Sequence, residues 1–341
     1  MPSGPPPSDR DGLTGRPEQP GPEVEVVAAS ELDFEAYAEF QRAAFRDLVA
    51  RAGASDSHMT PGFYRWKYHP PAGPARIARI TAGDTVLSSS AMLPVHVTSN
   101  GKTVVGWHCV DVATVPEARR RGFLLATLRT LRASVSAEDL LFAFPNGASI
   151  GSFRRLGFRE RGVVTTWVNP WVWASARRHP RIEAIERFGP EPDLVASSVG
   201  ASAPFVARGP EYLDWRYSDH PNTRYISFVY RDSDGSGVCV VRQACVMNRE
   251  LTLVMELHGS NPGIRTALLR HAARWGLADG RTMMVVMDTG MTPGIALTSM
   301  LAPVPSVLLP KRQVLVVAGS DPSHELPTRR WLVQTGDWDV F

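Results

Sequence analysis

Hydrophobic positions along this chain fall into strand-length runs and helix-spaced stripes, separated by glycine and proline turns. Trp107–Thr114 is an apolar run that predicts a strand. Beyond Gly122, Leu124, Leu128, Leu131 and Val135 recur at steps of four, three and four, the buried stripe of an amphipathic helix. Leu140–Phe144 is a short unbroken apolar run and predicts a buried strand. Pro145-Asn146-Gly147 interrupts it, and a short helix then leads to Leu156-Gly157-Phe158.

The same rhythm returns later in the chain. Phe63-Tyr64-Arg65-Trp66-Lys67-Tyr68-His69-Pro70 recurs as Tyr212-Leu213-Asp214-Trp215-Arg216-Tyr217 followed by His220-Pro221. Each copy precedes a strand, Ala75–Ile80 in one case and Tyr225–Tyr230 in the other. Leu251–His258 takes the place of the strand ending at Thr114, and Ile264, Leu268, Ala272 and Trp275 stripe the helix that follows it. Thr282–Met287 supplies the next strand. Similarity over this length means duplication of a whole domain. The fold class expected is α/β with mixed α+β sheets, in two tandem units over residues 25–175 and 207–341. A connector, 176–206, would join them. The Pro-, Gly- and Ser-rich stretch over residues 1–24 reads as a disordered tail. The aromatic-basic repeats themselves are expected to pack at helix ends.

Composition narrows the class. At 341 residues, 43% apolar and 21% charged, the chain can bury a large core. A net charge of +3 argues against a nucleic-acid partner. Three cysteines, Cys109, Cys239 and Cys245, fit a reducing compartment better than a disulfide framework. No apolar run is long enough to span a bilayer, so the expectation is a cytoplasmic protein with no membrane partner. No HExxH, CxxC or carboxylate cluster suggests a metal.

Arg119-Arg120-Arg121-Gly122-Phe123-Leu124 lies between the strand and the helix. A glycine turn opening a helix presents backbone N–H groups at the positive end of the helix dipole. Flanking guanidinium groups add forked donors suited to phosphate. A pyrophosphate pocket is the expectation. The competing readings are a solvated basic turn, or nucleic-acid binding through Arg119–Arg121, Arg154 and Arg155.

This order of elements resembles the GNAT superfamily of N-acyltransferases over roughly residues 25–170. The superfamily's Gln/Arg-x-x-Gly-x-Gly/Ala motif is matched by Arg119 and Gly122, with Leu124 where a small residue is usual. Its later Asn, Tyr and Gly-Phe positions are matched by Asn146, Phe153, Gly157 and Phe158, with phenylalanine in place of tyrosine. The resemblance implies an acyl-CoA co-substrate. Pyrophosphate would rest on the amides of Arg120 to Leu124, and pantetheine would pair with Val112, Ala113 and Thr114, with a side-chain bond from Asn146. In the second unit Gly259-Ser260-Asn261-Pro262-Gly263 lacks an arginine cluster, its nearest base being Arg265. That unit reads as a degenerate GNAT-like domain that walls the acceptor cleft.

The resemblance also orders the chemistry. Several members carry a glutamate base eleven residues ahead of the phosphate motif, and here that position is His108. Imidazole is suited to taking a proton near neutral pH. Asp111 is the other candidate, on the opposite face of the strand unless a bulge intervenes. Phe153 replaces the usual general acid. A coenzyme A thiol of pKa near ~8.5 leaves unprotonated at a cost of only about 2 kcal/mol, so the transfer can survive that loss. Cys109 points away from His108 and reads as core. The function expected is transfer of an acetyl or longer acyl group to the amine of a small molecule, an amino sugar of a secondary metabolite or glycopeptide antibiotic being one acceptor class. The alternative is a non-catalytic acyl-CoA sensor or scaffold.

Overall fold

Two mixed sheets organise the chain. The computed structural model describes residues 23–52, 56–99, 101–188, 203–233, 235–246, 249–290, 292–309, 313–319 and 331–337. The tail expected at the N-terminus thus lies outside the described residues up to position 22. The first half runs β1 (Glu25–Ala28), α1 (Phe34–Ala52), α2 (Pro61–Lys67), β2 (Arg76–Ala82) and β3 (Thr85–Ser99). It continues through β4 (Lys102–Thr114), α3 (Phe123–Ala133), β5 (Leu140–Ala143), α4 (Ile150–Arg155) and β6 (Arg159–Val163). There follow β7 (Thr165–Asn169), α5 (Val172–Ser175), β8 (Ile182–Ile185), β9 (Phe205–Val206) and α6 (Pro210–Leu213). The second half carries β10 (Tyr225–Asp232), β11 (Gly235–Val246), β12 (Arg249–Gly259), α7 (Pro262–Ala278), β13 (Met284–Asp288), β14 (Ala302–Pro303) and β15 (Val314–Ala318).

The first sheet has the order β1-β2-β3-β4-β5-β15-β6, and the second β14-β7-β13-β12-β11-β10-β8. Each contains one parallel pair, β4 with β5 and β12 with β13; the other neighbours are antiparallel. The halves trade a strand. β7 follows β6 in sequence yet pairs with β13 in the second sheet, while β15 returns from the far end to lie between β5 and β6. All five residues of β15 are buried, which is why it reads as an unbroken apolar run and not as an alternating edge. The boundary expected at residues 175 and 207 is therefore revised, because the units interleave. The connector is revised too: β8 edges the second sheet and β9 pairs with β3 of the first.

Helices α1 and α2 cover one face of the first sheet through Tyr37, Tyr64, Ile77 and Val110, and α3 and α4 cover the other through Leu128, Leu131, Cys109 and Phe153. Burial pushes the Cys109 thiol up to about 12, and Arg132 offsets only part of this. Between the halves, Phe142, Leu315, Val317 and Trp331 share a core with Tyr212 at its margin. The two aromatic-basic repeats meet here. Trp66 Nε1 donates to the Trp215 carbonyl at 2.8 Å, Trp215 Nε1 donates to the Trp66 carbonyl at 3.1 Å, and the rings stack 5.1 Å apart. Such reciprocity is the signature of a local two-fold axis, and it gives the repeats their packing role.

Candidate active site

β4 and β5 pair from Gly106/Leu140 to Cys109/Ala143 and then separate. Just past that point the β3–β4 register slips, so that Asp111 and Val112 together face Ser90. Asp111 takes the left-handed conformation there, with φ of 48°. The bulge moves Asp111 onto the α1/α2 face that Val110 and Ala113 also occupy, while Val112 packs toward α3. Among the described residues, parting strands leave Val112–Thr114 without a neighbouring strand on that edge, a ready place for an extended amide-bearing chain.

A cavity of about 610 Å³ opens from this splay. Of the residues expected around a pyrophosphate and pantetheine, Val112, Ala113, Thr114, Arg119, Arg120, Gly122, Phe123, Leu124 and Asn146 line it. Arg121 is exposed beside the cavity and is not among its lining residues. Phe153 is 1% exposed and packs edge-on against Phe158, so its expected contact with a co-substrate is corrected: it is core. Ser149, just before α4, and Ser152 and Arg155 within it also line the cavity, and the motif reading gave none of them a place there. Arg155 carried the only available signal, as a member of the basic group Arg119–Arg121, Arg154 and Arg155.

The loop is built for backbone donation. Arg120 and Gly122 are both left-handed, with φ of 64° and 80°, and a Cβ on Gly122 would meet no atom within 4 Å. Gly122 gives α3 no side-chain cap. The first helical bond runs from the Ala126 N–H to the Gly122 carbonyl, so the amides of Phe123 to Leu125 have no acceptor within the helix. Arg119 serves differently from a phosphate ligand. Its guanidinium donates to the carbonyls of Thr114 and Ala44 and pairs with Asp47 at 3.0 Å, tying the loop to α1. Asn146 Oδ1 accepts from Ala148 N–H, Ser149 N–H and Ser149 Oγ, which leaves its Nδ2 as the donor toward the cavity.

Asp111 is not placed as a free base. Lys67 Nζ approaches both carboxylate oxygens, at 2.9 and 2.8 Å, and the Tyr68 hydroxyl donates to Oδ2 at 2.8 Å. Behind it Tyr68, Tyr37 and Gln41 form a buried chain of bonds of 2.7 Å each. This network fixes the bulge, and sequence reasoning saw its Lys67-Tyr68 members only as part of a packing repeat. Burial, followed by the Asp111 charge, holds the Tyr68 phenol well above its ordinary range. His108 stacks flat on Phe142, with 4.6 Å between ring centroids, and meets Phe144 edge-on. It lies on the same face of the sheet as Asp111, beside the core shared with the second half. Four residues of strand, about 13 Å, separate it from Val112, so a proton could reach it only through water.

The corresponding point in the second half is closed. β12 and β13 pair from Thr252/Met284 to Val254/Val286 and then part, with a register slip at Val240/Val241. Gln334 sits in the gap: its Oε1 accepts from Leu257 N–H at 2.6 Å and its Nε2 donates to the Leu257 carbonyl at 2.8 Å. Asn261 caps α7 by accepting from Ile264 N–H at 3.0 Å. Tyr217 donates to Glu256 at 2.6 Å, as Tyr68 does to Asp111. Arg208 spans Glu256 and Asp337 in full burial, and His258 adds a contact of 2.8 Å. Burial alone would raise Glu256, but Arg208 and the bonds from His258 and Tyr217 hold it down to about 2.

Residues 25–161 match the model of an acetyltransferase (GNAT) domain. No curated protein sequence matches the chain significantly. Among solved structures, a conserved Enterococcus faecalis protein described as a probable N-acyltransferase superposes with a TM-score of 0.63 at 12% identity, covering 88% of this chain and 74% of that one. A GCN5-related N-acetyltransferase from Anabaena variabilis gives 0.59 at 13% identity, over 90% and 75%. The N-myristoyltransferase of Saccharomyces cerevisiae, solved with bound myristoyl-CoA, gives 0.55 at 8% identity, over 88% and 85%. With the cleft, bulge and helix N-terminus in place, residues 25–161 have the fold of a GNAT acetyltransferase domain and match its family model.

Proposed function

We propose that the chain is an acyl-CoA-dependent N-acyltransferase with a single donor site, in the first half, acting on the amine of a small molecule. The observation that carries this is the uncapped N-terminus of α3, opening on left-handed Arg120 and Gly122 at the mouth of the β4–β5 splay. Those amides suit a pyrophosphate. The freed edge of Val112–Thr114 suits pantetheine, with the Val112 N–H directed at the thioester carbonyl oxygen as charge develops there.

In the transfer the amine nitrogen bonds to the thioester carbon and the carbon–sulfur bond breaks. The amine proton passes through water to His108. The sulfur leaves as thiolate, eased by the positive end of α3, and takes its proton from solvent. Asp111 acts as a positioning residue, holding the bulge through Lys67 and Tyr68. The second half, with its matching strand order, is a GNAT-like copy that has lost its donor site and walls the acceptor side. The acyl group is acetyl or longer. Amino sugars, including those of glycopeptide antibiotics, are one acceptor class that the sequence resemblance suggests, and the reaction belongs in the cytoplasm.

A thiol-release screen crossing acyl-CoA lengths with amino sugars, amino acids and polyamines tests this reading. His108→Ala should lower kcat by about a hundredfold or more while leaving coenzyme A affinity unchanged. Tight coenzyme A binding with no thiol above background for any amine would leave the sensor reading in its place.

A further inference from the structure

The flank of the second half formed by β7, α5, α7 and the segment 294–309 presents large apolar side chains to solvent. Leu297 is 96% exposed, Val307 86%, Leu308 67%, Trp173 65% and Trp171 55%. These side chains belong to one surface, because the segments beneath them are stitched together. Asn169 accepts from Trp171 N–H and donates to Ser175 Oγ and to the Ser299 carbonyl. Arg270 accepts the Arg177 N–H and donates to the Thr298 carbonyl at 2.7 Å. β14 pairs with β7, and the Val304 N–H donates to Thr166.

The charge on these segments has one sign. Segments 165–181, 262–278 and 289–309 contain no aspartate or glutamate, although carboxylates make up 34 of the chain's 341 residues. They carry Arg177, Arg178, Arg270 and Arg274; Arg181 is set aside because it pairs with Asp232, and Arg265 because it donates to the Gly259 carbonyl. His271, half-buried among them, is held below its ordinary range by burial and then by the positive charge of His179, Arg178 and Arg274.

We infer that this flank docks the protein onto an anionic lipid surface. Tryptophan rings favour the level of the headgroups, where one edge is apolar and the other wet. Arginines beside them gain from the negative surface potential. Exposed apolar side chains on arginine-bearing segments that lack carboxylates fit that boundary and do not fit bulk water. The expectation of no membrane partner, drawn from the lack of a spanning segment, is revised to peripheral contact. The docking face is separate from the donor site and stands whether or not the proposed transfer occurs.

Co-sedimentation of the full chain with vesicles tests it. Binding is expected to phosphatidylcholine vesicles containing phosphatidylglycerol, with loss in high salt and with affinity for pure phosphatidylcholine weaker by about tenfold or more. The W171A/W173A and R177Q/R178Q variants should each bind the anionic vesicles about tenfold more weakly, with thermal unfolding unchanged. Failure of the native chain to sediment with anionic vesicles in low salt would overturn the proposal. So would undiminished binding by both variants, or a native dimer in light scattering that W171A/W173A converts to monomer, which would make the face a seat for a second copy.

Discussion

The two sheets part their parallel strands at equivalent points, and the two clefts that result are opposites. Beside the first, α3 begins at a left-handed glycine with no cap, its amides turned to an open cavity. Beside the second, Asn261 caps α7 and Gln334 supplies, from within the chain, both hydrogen bonds that Leu257 would give an extended amide. Strand order and bulge alone therefore do not leave an open cradle of backbone groups. What distinguishes the halves is who satisfies the backbone groups that the topology leaves over.

The sharpest way to break this contrast is at the carboxylates. Glu256→Ala would leave Arg208 buried without one of its two counter-charges, and a loss of about 3–5 kcal/mol in chemical denaturation is expected. Coenzyme A affinity of the folded protein should be unchanged; a large drop would mean that the second half holds the donor. Gly122→Val probes the other side. A β-branched residue at a φ of 80° costs about 1–2 kcal/mol of stability and displaces the cradle amides, so coenzyme A affinity of the folded protein by calorimetry should fall about tenfold or more. Unchanged affinity would remove the cradle from the argument.

Gln334→Ala opens the second cleft. Two unpaired backbone groups at Leu257 should cost about 2 kcal/mol, read as a lower melting temperature. Stoichiometry in a coenzyme A titration should remain one per chain, since the loop before α7 still lacks arginines; two would show that the plug alone silenced that half. The smallest effect concerns the seam between halves. In a double-mutant cycle, Trp66→Ala and Trp215→Ala should couple by about 1 kcal/mol, and strict additivity would deny the reciprocal stacking a role.

Much of this was written in local pattern. Helical spacing from Leu124 to Val135 and the Arg119-to-Leu124 loop identify α3 and its N-terminus, because short-range geometry decides both. The bulge was legible only as a possibility. Asp111 lies on the same face as His108 because its side chain is pinned by Lys67 and Tyr68, residues more than forty positions away, and no strand period encodes that. Phe153 was misassigned to the cleft because a motif records position and not the direction of a side chain. Gln334 was invisible for a related reason: a lone glutamine near the C-terminus carries no signal until the fold brings it to Leu257.

β15 also dictates when the molecule can be finished. It bonds to β5 on one side and β6 on the other, so the first sheet has a gap until residue 318 has left the ribosome. The amino-terminal portion must wait, partly assembled, until β15 has been made, and cutting the gene between the halves would yield two polypeptides each missing a strand. Such fragments should fold only when produced together, and the intact chain should melt in a single transition.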